Sequence, residues 1–251
     1  MTLIRVYPDF EVFEGLTPED QSWIIAKDYG ICNGWRLNFA VDAGGHFAGE
    51  TNSSADVSTE LDRLLLGKLR SLSDLIVTSG KTARLEKYRS SKHAPIAIFT
   101  TSGDLDDVPA IQGTQYFTPL VLTPNNRVEA VEQLLSDVDV RVIAFEASGT
   151  EDSWPKAIAQ AVQGLGYQSP ILESGPVTNR NFVSAGVIDE ICLSVTHPKT
   201  AGVSARNLSA TFLNAVFGST GDFKLAQLFT DGRTTFSRWV RNGVAAGSLP
   251  G

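Results

Sequence analysis

Cysteine is scarce in this chain of 251 residues: Cys32 and Cys192 lie far apart and form no CxxC pair. That excludes a disulfide framework and leaves two reduced thiols in a cytosolic protein as the expectation. Histidine is as sparse. His46, His93 and His197 share no ligand spacing, so no metal is expected. Basic residues are outnumbered, 21 against 28 acidic ones for a net charge of −7, and no basic cluster offsets that sign. Nucleic acid is therefore a disfavoured partner. No apolar run approaches the roughly 20 residues of a membrane span. The start, MTLIRVYPDFEVFE, lacks the basic end, apolar stretch and small-residue cleavage site of a signal peptide, so a cytoplasmic location without membrane is expected. There is no GxSxG elbow, and neither cysteine has a local base signature.

What is present is a globular composition, 42% apolar and 20% charged. Residues 1–34 are weakly periodic and read as an extension packed on the core, with Thr17-Pro18-Glu19-Asp20 opening a short helix. From Trp35 to Gly251 a single domain is expected, since no composition shift or internal repeat divides it. Trp35–Val41 alternates as a strand and stops at Asp42-Ala43-Gly44-Gly45. Ser58–Ser73 carries the leucine stripe of an amphipathic helix through Leu61, Leu64, Leu65, Leu69 and Leu72. Asp74–Val77 and Ile96–Phe99 are short apolar runs suited to strands buried on both faces. Arg127–Leu135 reads as a helix and Val140–Phe145 as a strand. Another helix starts after Ser153, Pro170–Leu172 is a short strand, and a further helix runs through Phe182 and Val183 to Gly186. Ile188–Val195 is a strand. Lys224–Thr230 and Arg233–Val240 form a hairpin about Asp231-Gly232. This alternation implies an α/β fold: a mainly parallel central sheet with an antiparallel C-terminal hairpin at its edge, and helices on both faces.

Two familiar signatures are set aside. Gly164-Leu165-Gly166 follows a helix and precedes a strand, the reverse of a dinucleotide fingerprint. The first glycine of a P-loop ending in Ser79-Gly80-Lys81-Thr82 would fall on Leu75, inside a strand. Asn52-Ser53-Ser54 and Asn207-Leu208-Ser209 are chance glycosylation matches in a cytosolic chain.

Three loops remain, each beyond the carboxyl end of a strand, where open sheets collect ligands. The first is Asp42–Gly45. The second, Thr78–Tyr88, gathers hydroxyls and the cations Lys81, Arg84 and Lys87, with Arg89 just beyond; it reads either as an anion site or as an exposed turn. The third, Glu173–Asn179, has a glycine before a helix and reads either as a phosphate cradle or as a tight connection. Glu173 follows Ile171-Leu172, so its carboxylate sits at the mouth of the sheet, to meet a polar substrate or to cap the next helix. Arg70, near a helix end, could clamp a phosphate with its fork or favour the helix dipole.

These loops, in this order, resemble the pyrimidine reductase domain of riboflavin biosynthesis, whose fold is that of dihydrofolate reductase. The likeness is carried by Leu37-Asn38-Phe39-Ala40, by Arg70 and Asp74–Ser79 with Thr82, Arg84, Glu86 and Tyr88, by Pro95–Ile98, by Leu172-Glu173-Ser174-Gly175-Pro176 and by Gly186–Val195. It spans about residues 35–200 and is most similar to stand-alone, actinobacterial-type members without a fused deaminase domain.

The resemblance implies reduction of 5-amino-6-(5-phosphoribosylamino)uracil to its ribitylamino form with NADPH, a phosphorylated pyrimidine as substrate, and a homodimer. It places Ala40, Asp56, Thr82 and Glu86 at the nicotinamide and ribose end of the cofactor. Ser102 falls near the adenosine 2′-phosphate, and Gly175, Pro176, Val177, Thr178 and Asn179 hold the pyrophosphate. Ser54, Arg70 and Glu173 meet the substrate, and Glu173 and Asp42 are the candidate catalytic carboxylates. Where relatives read Ser-Leu-Asp-Gly, this chain has Asp42-Ala43-Gly44-Gly45: Gly44 stands in place of the aspartate, and a carboxylate appears two positions earlier. Two other readings stand beside this one: a dihydrofolate or pterin-type reductase on the same fold, and a non-catalytic relative that binds a nucleotide.

Overall fold

The computed structural model describes residues 1–47, 57–147, 153–198, 207, 209–218 and 220–243. In chain order the strands are β1 (Leu3–Tyr7), β2 (Glu11–Phe13), β3 (Trp35–Asp42), β4 (Leu75–Ser79), β5 (Ile96–Phe99) and β6 (Leu120–Pro124). They continue with β7 (Arg141–Phe145), β8 (Pro170–Leu172), β9 (Ile188–Thr196), β10 (Phe223–Thr230) and β11 (Thr234–Arg241). The helices are α1 (Pro18–Tyr29), α2 (Glu60–Ser71), α3 (Gly80–Leu85), α4 (Pro109–Gln112), α5 (Val128–Leu134), α6 (Trp154–Gly164), α7 (Pro176–Ser184) and α8 (Ala210–Phe217).

All the described strands join one sheet in the order β2-β1-β10-β11-β9-β3-β8-β4-β5-β6-β7. From β9 to β7 every pairing is parallel, and from β9 to β2 every pairing is antiparallel. The parallel half is buried on both faces, which is why Leu75-Ile76-Val77 and Ile96-Ala97-Ile98 are unbroken apolar runs. Alternate residues feed two cores. On one face Ile25, Leu61, Leu65, Leu69, Ala83, Ile111 and Val131, from α1 through α5, pack over Ile76, Ile98 and Ile171. On the other, Ile158, Phe182 and Phe217, from α6, α7 and α8, pack over Val77, Leu172 and Leu193.

Three expectations are corrected. The hairpin is β10 and β11 as read, but it does not form the edge: β1 pairs with β10 beyond it, and β2 lies outermost. Residues 1–34 are therefore more than a wrap, since two of the sheet's strands come from them. The stretch Thr78–Tyr88 is not a loop throughout. Strand β4 runs to Ser79, whose hydroxyl caps the short α3 directly.

A buried charge group ties the N-terminal segment to the sheet. Adjacent strands bring Arg36 and Arg238 to the two oxygens of Glu190, each Nε donating at 2.6 Å. Arg36 Nη2 also donates to the Gly30 carbonyl at 2.7 Å, at the C-terminal end of α1, where the helix dipole favours a cation. Gln227 accepts from Arg238 at 3.0 Å. The two arginines are 1% exposed and Glu190 2%.

Candidate active site

Strand β8 is short. It pairs with β3 at Arg36 and Leu37 only, and with β4 from Leu75 to Val77. Beyond Leu172 the sheet opens, with β3 and β4 continuing as the two walls of a crevice. The chain leaves β4 into α3 on one face of the sheet and leaves β8 into α7 on the other. Neighbouring strands whose exits diverge in this way form a topological switch point, the place where open α/β sheets bind ligands.

The second and third loops meet there. Thr82 Oγ1 lies 3.2 Å from Ser174 Oγ and accepts the Gly175 amide at 3.1 Å. Ser79 Oγ donates to Thr82 Oγ1 at 2.9 Å and accepts from Ser174 at 3.1 Å. Gly175 is the N-cap of α7, with φ −72°, and has no side chain to cap this helix. Pro176 brings no N–H, so the amides of Val177 and Thr178 are the orphan donors of the first turn. Val177 is largely exposed. Asn179 is fully buried: its Nδ2 donates to the Ser174 carbonyl at 2.9 Å, and its Oδ1 has no partner among the described residues.

Beside this cradle Glu173 is held by three donors. Arg70 Nε reaches Oε1 at 2.9 Å, Arg70 Nη2 reaches Oε2 at 2.6 Å, and the Tyr88 hydroxyl donates to Oε2 at 2.5 Å. The side chains are 6% exposed for Glu173 and 23% for Arg70. Burial pushes the Tyr88 phenol well above its ordinary range, and the Glu173 charge adds to this, so the hydroxyl stays a donor. Burial would lower the Arg70 pKa, but the Glu173 carboxylate reverses this and the guanidinium stays charged. The fork of Arg70 is thus engaged on Glu173 rather than open to a phosphate, and Gly175, not Glu173, caps the helix.

The other expected residues are spread along the rim. Glu86 ends α3 one turn after Thr82. Ser102 is exposed in the loop after β5, and its hydroxyl accepts the Asp104 amide at 3.2 Å. That loop is gripped by two arginines: Arg84 donates to the Asp104 carbonyl at 2.5 Å and Arg127 to the Thr101 carbonyl at 3.0 Å. Ala40 lies on the β3 wall, half-buried and paired with Ser194 of β9.

Asp42 stands apart, five residues along β3 from the last β8 pairing, or about 16 Å at the usual rise of a strand. Its Oδ1 accepts the amides of Gly44 at 2.8 Å and His46 at 2.9 Å, and its Oδ2 is 3.1 Å from His46 Nδ1. Burial alone would raise its pKa; the amide and imidazole of His46 and the Gly44 amide outweigh it and hold the carboxyl below the usual range. Ser54 and Asp56 lie outside the described residues. Sequence reasoning gave no role to Ser79, Ser174 or Tyr88. Their signal was available in part, as hydroxyls bunched in the same two segments.

Residues 36–228 match the model of the RibD C-terminal domain family. The chain belongs to that family. The family is one of pyrimidine reductases linked to riboflavin biosynthesis, typically NADPH-dependent. The chain is 25% identical over 174 residues to the riboflavin biosynthesis protein PYRR, chloroplastic, of Arabidopsis thaliana; the match covers 67% of this chain and 28% of that protein, so the chain spans about a quarter of that relative. Its fold is similar to a pyrimidine reductase-like protein of Corynebacterium diphtheriae, with a TM-score of 0.60 and 20% identity over 90% of this chain and 99% of that one. It is also similar to RibD of Acinetobacter baumannii, with a TM-score of 0.60 and 18% identity over 89% of this chain and 61% of that one. RibD C-terminal domain members thus share its α/β fold, a mostly parallel sheet with antiparallel C-terminal strands. Among the described residues no helix is long and apolar enough to cross a membrane.

Proposed function

We propose that the chain is an NADPH-dependent reductase acting on 5-amino-6-(5-phosphoribosylamino)uracil to give the ribitylamino product. The observation that carries the reading is the uncapped N-terminus of α7 at the switch-point crevice, next to a hydroxyl cluster and a buried carboxylate. Two amides without a partner among the described residues and a positive helix end suit a pyrophosphate. Gly175 supplies the close approach: among the described residues a Cβ there would meet only Thr82 Oγ1, at 3.6 Å. The donors present therefore fit a dinucleotide. Gly175, Pro176, Val177, Thr178 and Asn179 would hold its pyrophosphate, and Ala40, Asp56, Thr82 and Glu86 its nicotinamide end. When bound, NADPH supplies a hydride. The residues of this chain position the substrate and keep water out, with Ser54, Arg70 and Glu173 at its polar groups. We place the protein in solution in the cytoplasm, as a homodimer.

A spectrophotometric assay of NADPH oxidation with this pyrimidine tests the reading. No oxidation by pure protein would overturn it. A second reading, a pterin-type reductase in the same crevice, is favoured by one observation: the Arg70 fork already has a carboxylate partner. Dihydrofolate in the same assay separates the two.

Two further outcomes follow from the geometry. Ser102, between the loop grips of Arg84 and Arg127, suits an added phosphate, so NADPH should raise the melting temperature several degrees more than NADH. Equal shifts would remove Ser102 from the site. The second concerns Gly175→Ala, which the φ of −72° and the 3.6 Å clearance both allow. It should cost less than about 1 kcal/mol of stability. The added methyl group nonetheless projects into the cradle, and NADPH affinity by titration calorimetry should fall at least tenfold. Unchanged affinity would move the pyrophosphate elsewhere.

A further inference from the structure

Asp62 is a buried carboxylate that none of the roles above uses. It lies on α2, is 6% exposed, and forms no ion pair closer than 4.0 Å among the described residues. Its partners are hydroxyls. Ser58 Oγ is 2.5 Å from Oδ2, and Ser194 of β9 bonds the carboxyl from the sheet. Ser194 is the register partner of Ala40, and paired residues project to the same face. Beyond Leu37, β3 has no β8 partner, so Ala40 forms the wall of the crevice. Asp62 therefore sits over the strand next to that wall, about 4.8 Å away in the sheet.

We propose that Asp62 supplies the proton that the reduction consumes. The inference rests on the reductase reading. Reduction of the ring-opened imine needs a hydride and a proton. C1 of the sugar gains the hydride, forming a C–H bond. The π pair of the C=N bond withdraws onto nitrogen, which forms an N–H bond with the Asp62 proton. The resulting carboxylate regains a proton from water along the half-buried Ser58 hydroxyl. Of the neighbours, Ser58 and Thr59 precede α2, Ser194 faces it from β9, and Thr234 of β11 bonds Thr59 at 3.4 Å; all are neutral. The charged group acting on Asp62 is Arg63, on α2 itself. Burial raises the Asp62 pKa, and Ser194, Ser58 and Arg63 only partly oppose it.

With the folded pKa raised, the native state holds more protons than the unfolded chain between the two pKa values. Wild-type stability therefore falls as pH rises from the ordinary aspartate value, about 3.9, through the folded one. Asp62→Asn removes this dependence, so its melting temperature relative to wild type should climb as pH rises above about 4. A flat difference overturns the proposal without any ligand or assay.

The kinetic arm uses the full chain with NADPH and the phosphoribosylamino-uracil. Wild-type kcat should fall on the alkaline side as Asp62 loses its proton. Asp62→Asn should lower kcat at least thirtyfold and erase that limb. Ser194→Ala, which removes a bond to the charged form, should shift the limb to higher pH with little change in KM. Wild-type turnover with the limb unmoved in both variants sinks this inference alone. No wild-type turnover sinks the reductase reading, and the proton-donor role with it.

Discussion

Glu173→Gln is expected to lower kcat/KM at least a hundredfold while leaving NADPH affinity nearly intact, and to destabilise the fold by about 2–3 kcal/mol. The two effects share one cause. Glu173 is the counter-charge for Arg70 and the acceptor for Tyr88, within a group that is mostly closed to water. A glutamine keeps the size but leaves a guanidinium without its carboxylate and offers Tyr88 an amide in place of an anion. Removing one partner of a fully buried pair costs about 3–5 kcal/mol; the 23% exposure of Arg70 places the effect at or below the lower end. The cradle at α7 is built from backbone and hydroxyls, so it should survive. Urea denaturation and steady-state kinetics on the same variant separate the effects. The double variant Arg70→Gln/Glu173→Gln should recover part of the stability, with a coupling of about 2 kcal/mol in the cycle. A single variant as stable as wild type would show that the pair does not form in solution.

Glu190→Gln is expected to be worse still, a loss of about 5 kcal/mol. Glu190 is the shared anion of two guanidiniums that are both 1% exposed. Its loss leaves two like charges facing each other in the core, and among the described residues Arg36 Nη1 and Arg238 Nη2 already lack partners. Natural stabilities of about 5–15 kcal/mol make such a loss decisive. The variant should be largely insoluble at 37 °C. Adding Arg238→Gln removes the repulsion and should restore soluble protein with a lower melting temperature. Soluble, cooperatively folding Glu190→Gln protein would refute the account.

Much of this architecture was legible in the residues. Unbroken apolar runs at Leu75–Val77 and Ile96–Phe99 mark strands covered on both faces, and Asp231-Gly232 marks the hairpin. What escaped shares a physical reason. Strand β6, LVLTP, ends in Thr123-Pro124 directly ahead of Asn125-Asn126, residues that read as a turn and mask the short apolar run before them. Helix α8 was framed by Ser209 and Gly218, which cap it, yet its sequence, ATFLNAVF, is apolar nearly all round and shows little contrast between faces. Strands β1 and β2, at the outer end of the sheet, leave Val6, Tyr7 and Val12 exposed, so they lack the burial signature of the others. At the site, the meeting of Glu173–Asn179 with Thr78–Glu86 could be expected from strand ends alone. The engagement of Arg70 by Glu173 could not, because residues so far apart in sequence reveal their distance only once β8 is placed. Asp42, like Glu173, stands at a strand end, but β3 outruns β8 and carries it away.

Strand β1 closes against β10, Ile4 beside Thr230. A ribosome therefore releases the first strand long before its partner exists. During synthesis the β3–β8 half can assemble behind the emerging chain, while the opening strand waits with its apolar side chains bare. Non-local pairings of this kind are slow to form and vulnerable while pending. Nascent chains stalled before residue 223 should consequently be captured by chaperones through their first thirteen residues.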